Sequence, residues 1–92
     1  MRFEWDDQKA VENFEKHGVT FGEAIEVFYD PNAVEGEDAE HSHYESRFFI
    51  IGYSRNRILF VVFAERVGNV IRIISARPPT GSERKLYEEQ GE

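Results

Sequence analysis

An arginine that closes an apolar strand needs a counter-charge. Arg77 ends the run Val70-Ile71-Arg72-Ile73-Ile74-Ser75-Ala76-Arg77, immediately before Pro78-Pro79. Its guanidinium offers a fork of donors that fits the oxygens of a phosphate. It fits equally well a carboxylate of the same chain, such as Glu83, or a helix C-terminus. Glu45 and Arg47 stand two apart, so on a strand they share a face. That arrangement suits a general base beside a charge clamp. The plainer alternative is a cross-strand pair of Glu45 with Arg66, worth roughly 0.2–1 kcal/mol. Lys16-His17-Gly18 offers a proton-transfer group, His17, read as an acid; the helix dipole alone also explains a histidine there. Lys9 is either solvated or within reach of a phosphate. His41 and His43, beside Glu37, Asp38 and Glu40, are of metal-ligand type. No third ligand has a defined spacing, and no metal is expected. Glu65 and Arg72 are expected to pair across strands without chemistry.

These groups need elements to position them. Phe3-Glu4-Trp5 is a short extended opening. Asp6 or Asp7 can cap a helix running to about His17, with Ala10, Val11 and Phe14 on its apolar stripe. Gly18 closes that helix at the position where a left-handed backbone costs little. Thr20-Phe21-Gly22-Glu23 reads as a reciprocal capping box that opens a second helix. It buries Phe21, Ala24, Ile25, Val27 and Phe28, and Asp30-Pro31 ends it. An acidic, irregular stretch follows, with a short strand over Ala33–Glu35. Then come three runs rich in β-branched and aromatic residues, over 44–53, 57–66 and 70–77. Thr80-Gly81-Ser82-Glu83 is a second capping box, opening a charged helix to about Gln90.

Turn geometry assigns faces. With Arg55-Asn56 as one two-residue turn and Gly68-Asn69 as the other, Ser54 pairs with Arg57, Glu45 lies opposite Arg66, Val67 pairs with Val70, and Glu65 faces Arg72. One face then carries Phe48, Ile50, Leu59, Val61, Phe63, Ile74 and Ala76 and packs on the helices. The other carries Arg47, Phe49, Phe60, Val62, Ile71, Ile73, Ser75 and Arg77. With ~3.3 Å per residue and ~4.8 Å per strand, Arg77 lies roughly 20 Å from Glu45, a span for a polymer more than for a small molecule. A one-residue slip would overturn these assignments.

Composition narrows the function. The chain has 92 residues, which predicts one domain over 1–92. Eight Phe, four Tyr and one Trp supply the bulk of a small core, and cysteine is absent, which excludes disulfides and thiolate metal sites. The opening has no apolar h-region and the chain no long apolar run, so neither signal peptide nor membrane span is expected, and a cytoplasmic location is. Residues 1–46 hold three basic against thirteen acidic residues; residues 47–92 hold eight against five, for a net −7. An acidic whole argues against loose nucleic-acid binding, while the basic second half permits a local anion site. The acidic first half suits a basic partner.

The segments RFEWDDQKAVENFEKHGVTFGEAIEVFYDP, ESRFFIIGYS and IRIISARPPTGSERKLYEE together resemble the BrnT family of bacterial type II toxins. The most specific parts are the opening F-E-W-D…K…N…K-H-G-V-x-F and the ending R-I-I-S-A-R…E-R…Y-E. The resemblance implies an α+β fold of the RelE type: a small antiparallel β-sheet, made of a three-strand meander plus one or two short N-terminal strands, packed on two N-terminal helices, with a short C-terminal helix. It implies a metal-independent endoribonuclease without cofactor that cleaves RNA and inhibits translation. It further implies a hetero-oligomer with a BrnA-like ribbon-helix-helix antitoxin, through which alone operator DNA is reached. Carried over residue by residue, it points to Glu45 as base, to Arg47, Arg66 and Arg77 as phosphate and charge contacts, to His17 or Tyr87 as the acid, with no choice made between them, and to Lys9, Arg84 and Tyr87 as RNA contacts. This chain departs from the family where a further basic residue and an Ala usually follow Ser-Ala-Arg: it has Pro78-Pro79, which removes a positive charge and fixes the chain's exit. The rival expectation is a binding module, an acidic surface that docks a basic antitoxin and acts as co-repressor with weakened or lost nuclease activity.

Overall fold

A computed structural model describes residues 1–42, 45–55 and 57–90, with the His41 side chain excepted. The element order is β1 (Arg2–Glu4), α1 (Asp7–His17), α2 (Phe21–Val27), β2 (Val34–Glu37), a single 3-10 turn (Ala39–His41), β3 (Arg47–Ser54), β4 (Arg57–Arg66), β5 (Val70–Arg77) and α3 (Gly81–Glu89). Together they form an α+β fold, with five strands in one mixed sheet ordered β1-β5-β4-β3-β2. The meander is antiparallel as expected, and β2 joins it antiparallel. β1 adds in parallel on the other edge, pairing Arg2 with Val70 and Glu4 with Arg72.

Local chemistry sets the helix ends. Asp6 caps α1 by accepting from the Lys9 N–H at 3.0 Å, and Gly18 closes it at φ 70°. Thr20 accepts from the Glu23 N–H at 3.0 Å. The expected return bond from the Glu23 carboxylate is absent from that start: the carboxylate is taken by Arg57 and Ser54. At α3 the box is reciprocal, with Glu83 N–H to Thr80 and Thr80 N–H to Glu83.

The core lies between the two N-terminal helices and the sheet. Val19, Phe21, Ala24 and Val27 pack on Ile50, Leu59, Val61, Phe63, Ile71, Ile73 and Ala76. Ile71 and Ile73 are on this side, not on the opposite face as the two-residue turn required. Arg66 pairs with Val70, so Val67, Gly68 and Asn69 form a three-residue turn, with Val67 fully in solvent. Gly68 and Asn69 both take positive φ, a conformation Asn tolerates better than most residues. The offset is absorbed by a bulge between Val62 and Phe63 of β4, which leaves Ile74 as the extra residue of β5. Above the bulge, Val62 pairs with Ser75 and Phe60 with Arg77, as expected; below it every pair is shifted by one. A one-residue shift exchanges faces. Glu65 therefore faces Ile71, and the Arg72 guanidinium reaches Glu4 instead, at 2.9 Å.

Candidate functional site

The bulge in β5 is where the chemistry collects. Two hollows meet at Ile74 and Ser75. One, about 340 Å³, lies on the free face of the sheet and is bounded by Arg47, Phe60, Val62 and Arg77, with Asp38, Glu40 and Glu83 on its rim. The other, about 260 Å³, lies against α1 and is bounded by Lys9, Glu12, Asn13, Lys16 and His17. The bulge gives both hollows a floor, because Ile74 and Ser75 border each of them.

Asn13 holds α1 at this spot. It is buried, and its side-chain amide mimics a strand. Nδ2 donates to the Ala76 carbonyl at 2.8 Å and the Val19 carbonyl at 3.0 Å, while Oδ1 accepts the Ala76 N–H at 3.0 Å. β1 pairs only with residues 70–72 of β5, so Asn13 covers part of the edge that β1 leaves open. Lys9, Lys16 and His17, on neighbouring turns of α1, are thereby brought to the Arg77 end of β5. The sequence carried a signal for this: Asn is a poor helix-interior residue, and Asn13 sits three residues after Ala10 and four before His17.

Arg77 is not free. Its Nη1 and Nη2 donate to the two oxygens of Glu83 at 2.8 and 2.9 Å, and its Cζ lies 4.3 Å from the centre of the Phe60 ring. Phe60 in turn stacks on Phe49 at 5.3 Å. The Phe49 ring crosses Gly36 so closely that a Cβ there would lie 2.5 Å from it, so β2 needs glycine at that point. The fork with Arg77 holds the Glu83 carboxyl below its usual range, burial notwithstanding. It raises the Arg77 pKa further. Arg47, on the same hollow, forms no ion pair among the described residues. Burial, with added repulsion from Lys16 and Arg77, pushes the His17 imidazole below its ordinary value. It is therefore mostly neutral near pH 7, a state that accepts a proton more readily than it gives one.

The remaining expected residues lie elsewhere. Glu45 meets Arg66 at 3.5 Å, both well exposed, in the expected cross-strand arrangement. Glu45 does not border the hollow of Arg47 and Arg77 among the described residues. Arg84 is exposed on α3, 4.0 Å from Glu88 one turn on. The Tyr87 hydroxyl donates to Asp30 Oδ2 at 2.6 Å, and its ring meets Tyr53 edge-on. Burial and then that bond push the Tyr87 pKa up to about 12. Asp30 also accepts the N–H groups of Tyr53 and Asn32, and these bonds outweigh burial to hold its pKa low. Gly52 leaves room for this carboxylate, since a Cβ there would stand 3.0 Å from Oδ2. Sequence reading assigned Asp30 only a helix-ending role; its long-range partners gave no local signal. His43 lies outside the described residues, as do Tyr44 and Asn56. Among the described residues no group of three or more His, Asp or Glu is arranged to hold a metal, and no helix is long and apolar enough to cross a membrane.

The described part of the site thus combines a guanidinium without a counter-ion, a second guanidinium paired with a carboxylate, two lysines and a neutral imidazole. Its carboxylates, Glu12, Asp38, Glu40 and Glu83, match the cations in number, so it is a mixed-charge groove and not a uniformly positive one.

Comparison with known proteins places the chain in a family. Residues 5–83 match the family described as "Ribonuclease toxin, BrnT, of type II toxin-antitoxin system". A crystal structure of the Brucella abortus ribonuclease toxin, BrnT, superposes with a TM-score of 0.70 at 26% identity, over 87% of this chain and 97% of that one. A search of curated proteins found no match. The family match spans nearly the whole chain, and type II systems pair each toxin with an antitoxin. This protein belongs to the BrnT family of ribonuclease toxins of type II toxin–antitoxin systems.

Proposed function

We propose that this chain is a metal-independent endoribonuclease that cuts RNA across the groove at the β5 bulge and thereby halts translation. The supporting observation is that Arg47, Arg77 and His17 border two hollows that share Ile74 and Ser75. Cleavage by the RNA's own 2′-hydroxyl needs a base, a cation for the pentavalent phosphate and an acid for the leaving 5′-oxygen. Arg47 and Arg77 hold and stabilise the phosphate. His17, neutral, takes the 2′-hydroxyl proton, and the leaving 5′-oxygen takes a proton from solvent water; the depressed pKa of His17 suits a base better than the acid role expected of it. Glu45 and Arg66, at the far end of the sheet face, contact a neighbouring stretch of RNA, with Lys9 and Arg84 on flanking phosphates. Tyr87 acts by holding α3 and not by touching RNA. The neutralising partner is a BrnA-type ribbon-helix-helix antitoxin, which carries the pair to operator DNA, and the complex works in the cytoplasm.

One observation favours a second reading, an antitoxin-binding co-repressor with weakened nuclease activity: Glu83 already occupies the fork of Arg77. A single assay separates the two. Purified protein is incubated with RNA in the presence of a chelator. The nuclease reading expects cleavage that survives chelation and falls roughly 100-fold in Arg77→Ala and in Arg47→Ala, the usual cost of removing one transition-state donor. RNA left intact by the unaltered protein sinks that reading and leaves the co-repressor.

A further inference from the structure

The opposite edge of α1 carries a different surface. Asp7, Val11 and Phe14 follow one another at helical spacing, with Glu15 beside them, so apolar and acidic side chains share one stripe. Val11 is 54% and Phe14 53% exposed, although both were expected on the apolar stripe of this helix. Between this stripe and the start of α2 runs a groove of about 350 Å³, floored by Trp5 and the buried Phe21, which pack edge-to-face at 5.8 Å. Its α2 wall is low because residue 22 is glycine: a Cβ built there would approach only the Thr20 hydroxyl, at 3.9 Å.

We propose that this groove seats an amphipathic helix of the antitoxin, with an apolar stripe against Trp5, Val11 and Phe14 and with Lys or Arg along its flank against Asp7 and Glu15. The proposal goes beyond the nuclease reading and rests only on membership of a toxin–antitoxin family and on charge complementarity. RNA does not suit the site, since its phosphates would meet carboxylates on an apolar floor. A second copy of this chain does not suit it either. Facing grooves would oppose Asp7 and Glu15 to themselves, and the exposed α3, with Leu86, carries Glu83, Glu88 and Glu89 against Arg84 and Lys85.

The test uses the full isotope-labelled chain, followed by amide resonances, and two synthetic amphipathic helices with a leucine face, one flanked by Lys and the other by Glu. The Lys helix is expected to shift the amides of Val11, Phe14 and Gly22. Gly22→Arg fills the groove and repels it, weakening binding about tenfold or more. Phe14→Ser, at an exposed position, weakens it in the same direction. RNA cleavage by Gly22→Arg is expected to be unchanged, because the groove lies across α1 from Arg77, so binding and cleavage report separately. The proposal is overturned if the Lys helix shifts amides elsewhere or none at all. It is equally overturned if Gly22→Arg binds as tightly as the unaltered chain, if the Glu helix binds equally well, or if the same amides broaden with protein concentration alone, as in a self-dimer.

Discussion

Two helices in this protein begin with the same four-residue pattern, Thr-x-x-Glu, and in both the glutamate is gripped by an arginine fork. Glu23 is held by Arg57 through two bonds of 2.6 Å; Glu83 is held by Arg77 at 2.8 and 2.9 Å. The surroundings differ. Glu23 also accepts the hydroxyl of the fully buried Ser54, and Arg57 also donates to the Gly18 carbonyl at 3.1 Å. Its helix, α2, buries Phe21, Ala24 and Val27 in the core. The helix that carries Glu83, α3, has no buried residue and is tied down by this fork and by Tyr87 on Asp30. An ion pair lasts only as long as the elements that carry it stay docked. The first fork is therefore a fixture of a helix held by the core, and the second is a latch on a helix that buries no residue of its own.

Four substitutions and one titration sharpen or break that contrast. The largest effect is expected from Asn13→Ala, which takes this partner from the Ala76 N–H, the Ala76 carbonyl and the Val19 carbonyl. Three buried backbone bonds unmade cost about 3 kcal/mol, read as a lowered denaturation midpoint. A loss under about 1 kcal/mol would mean that α3, and not α1, holds the end of β5. Glu23→Ala comes next, at about 2 kcal/mol, since it strands the buried Ser54 hydroxyl and one side of the fork. Tyr87→Phe removes one bond to a charged acceptor and is expected to cost about 1 kcal/mol, with faster amide exchange confined to α3. Glu83→Gln is expected to change global stability by less than about 1 kcal/mol, as part-exposed pairs do. It should loosen the hold on Arg77, since the amide keeps one acceptor but loses the charge, and raise RNA cleavage. Equal destabilisation by Glu23→Ala and Glu83→Gln would erase the distinction between fixture and latch.

The titration separates the two ends of the latch by sign. Glu83 and Asp30 have depressed pKa values when folded, so their stabilisation is present above the ordinary carboxylate range and is lost as pH falls through it, below about 4. Tyr87 has a raised value. Its contribution is complete below about 10, the unfolded value, and is lost as pH rises toward about 12. Protection of the α3 amides, taken relative to their intrinsic exchange rate at each pH, is therefore expected to fall at both extremes, with the alkaline loss absent in Tyr87→Phe. An alkaline phase that persists in that variant would place its origin elsewhere.

Much of the fold was legible because its signals are local. Asp6, Gly18, Thr20, Thr80 and the Asp30-Pro31 step mark helix ends by chemistry within four residues, and the strand runs declare themselves by β-branched and aromatic content. The upper register of β4 with β5 was legible too. The lower half was not, since the Gly68-Asn69 signature fits a two-residue and a three-residue turn alike, and only the packing of Ile71 and Ile73 against α2 selects the second. The capping box at Thr20 was half right for a similar reason: Glu23 had a local partner available, but Arg57, 34 residues on, outbids it with charge.

The candidate site was less legible than the fold. By itself the sequence determined which residue types were available, that Arg77 ends an apolar strand and must be neutralised, and that the chain resembles BrnT toxins. Those are properties of single residues, short spacings and composition. Only the tertiary structure decided that Glu83 neutralises Arg77, that Arg47 faces the same hollow without an ion pair among the described residues, and that the bulge at Ile74 joins that hollow to His17. It also decided that Asn13 carries α1 there and that Val11 and Phe14 stay outside the core. Each of these depends on contacts between residues far apart in the chain, where one residue of register moves a side chain from one face of the sheet to the other.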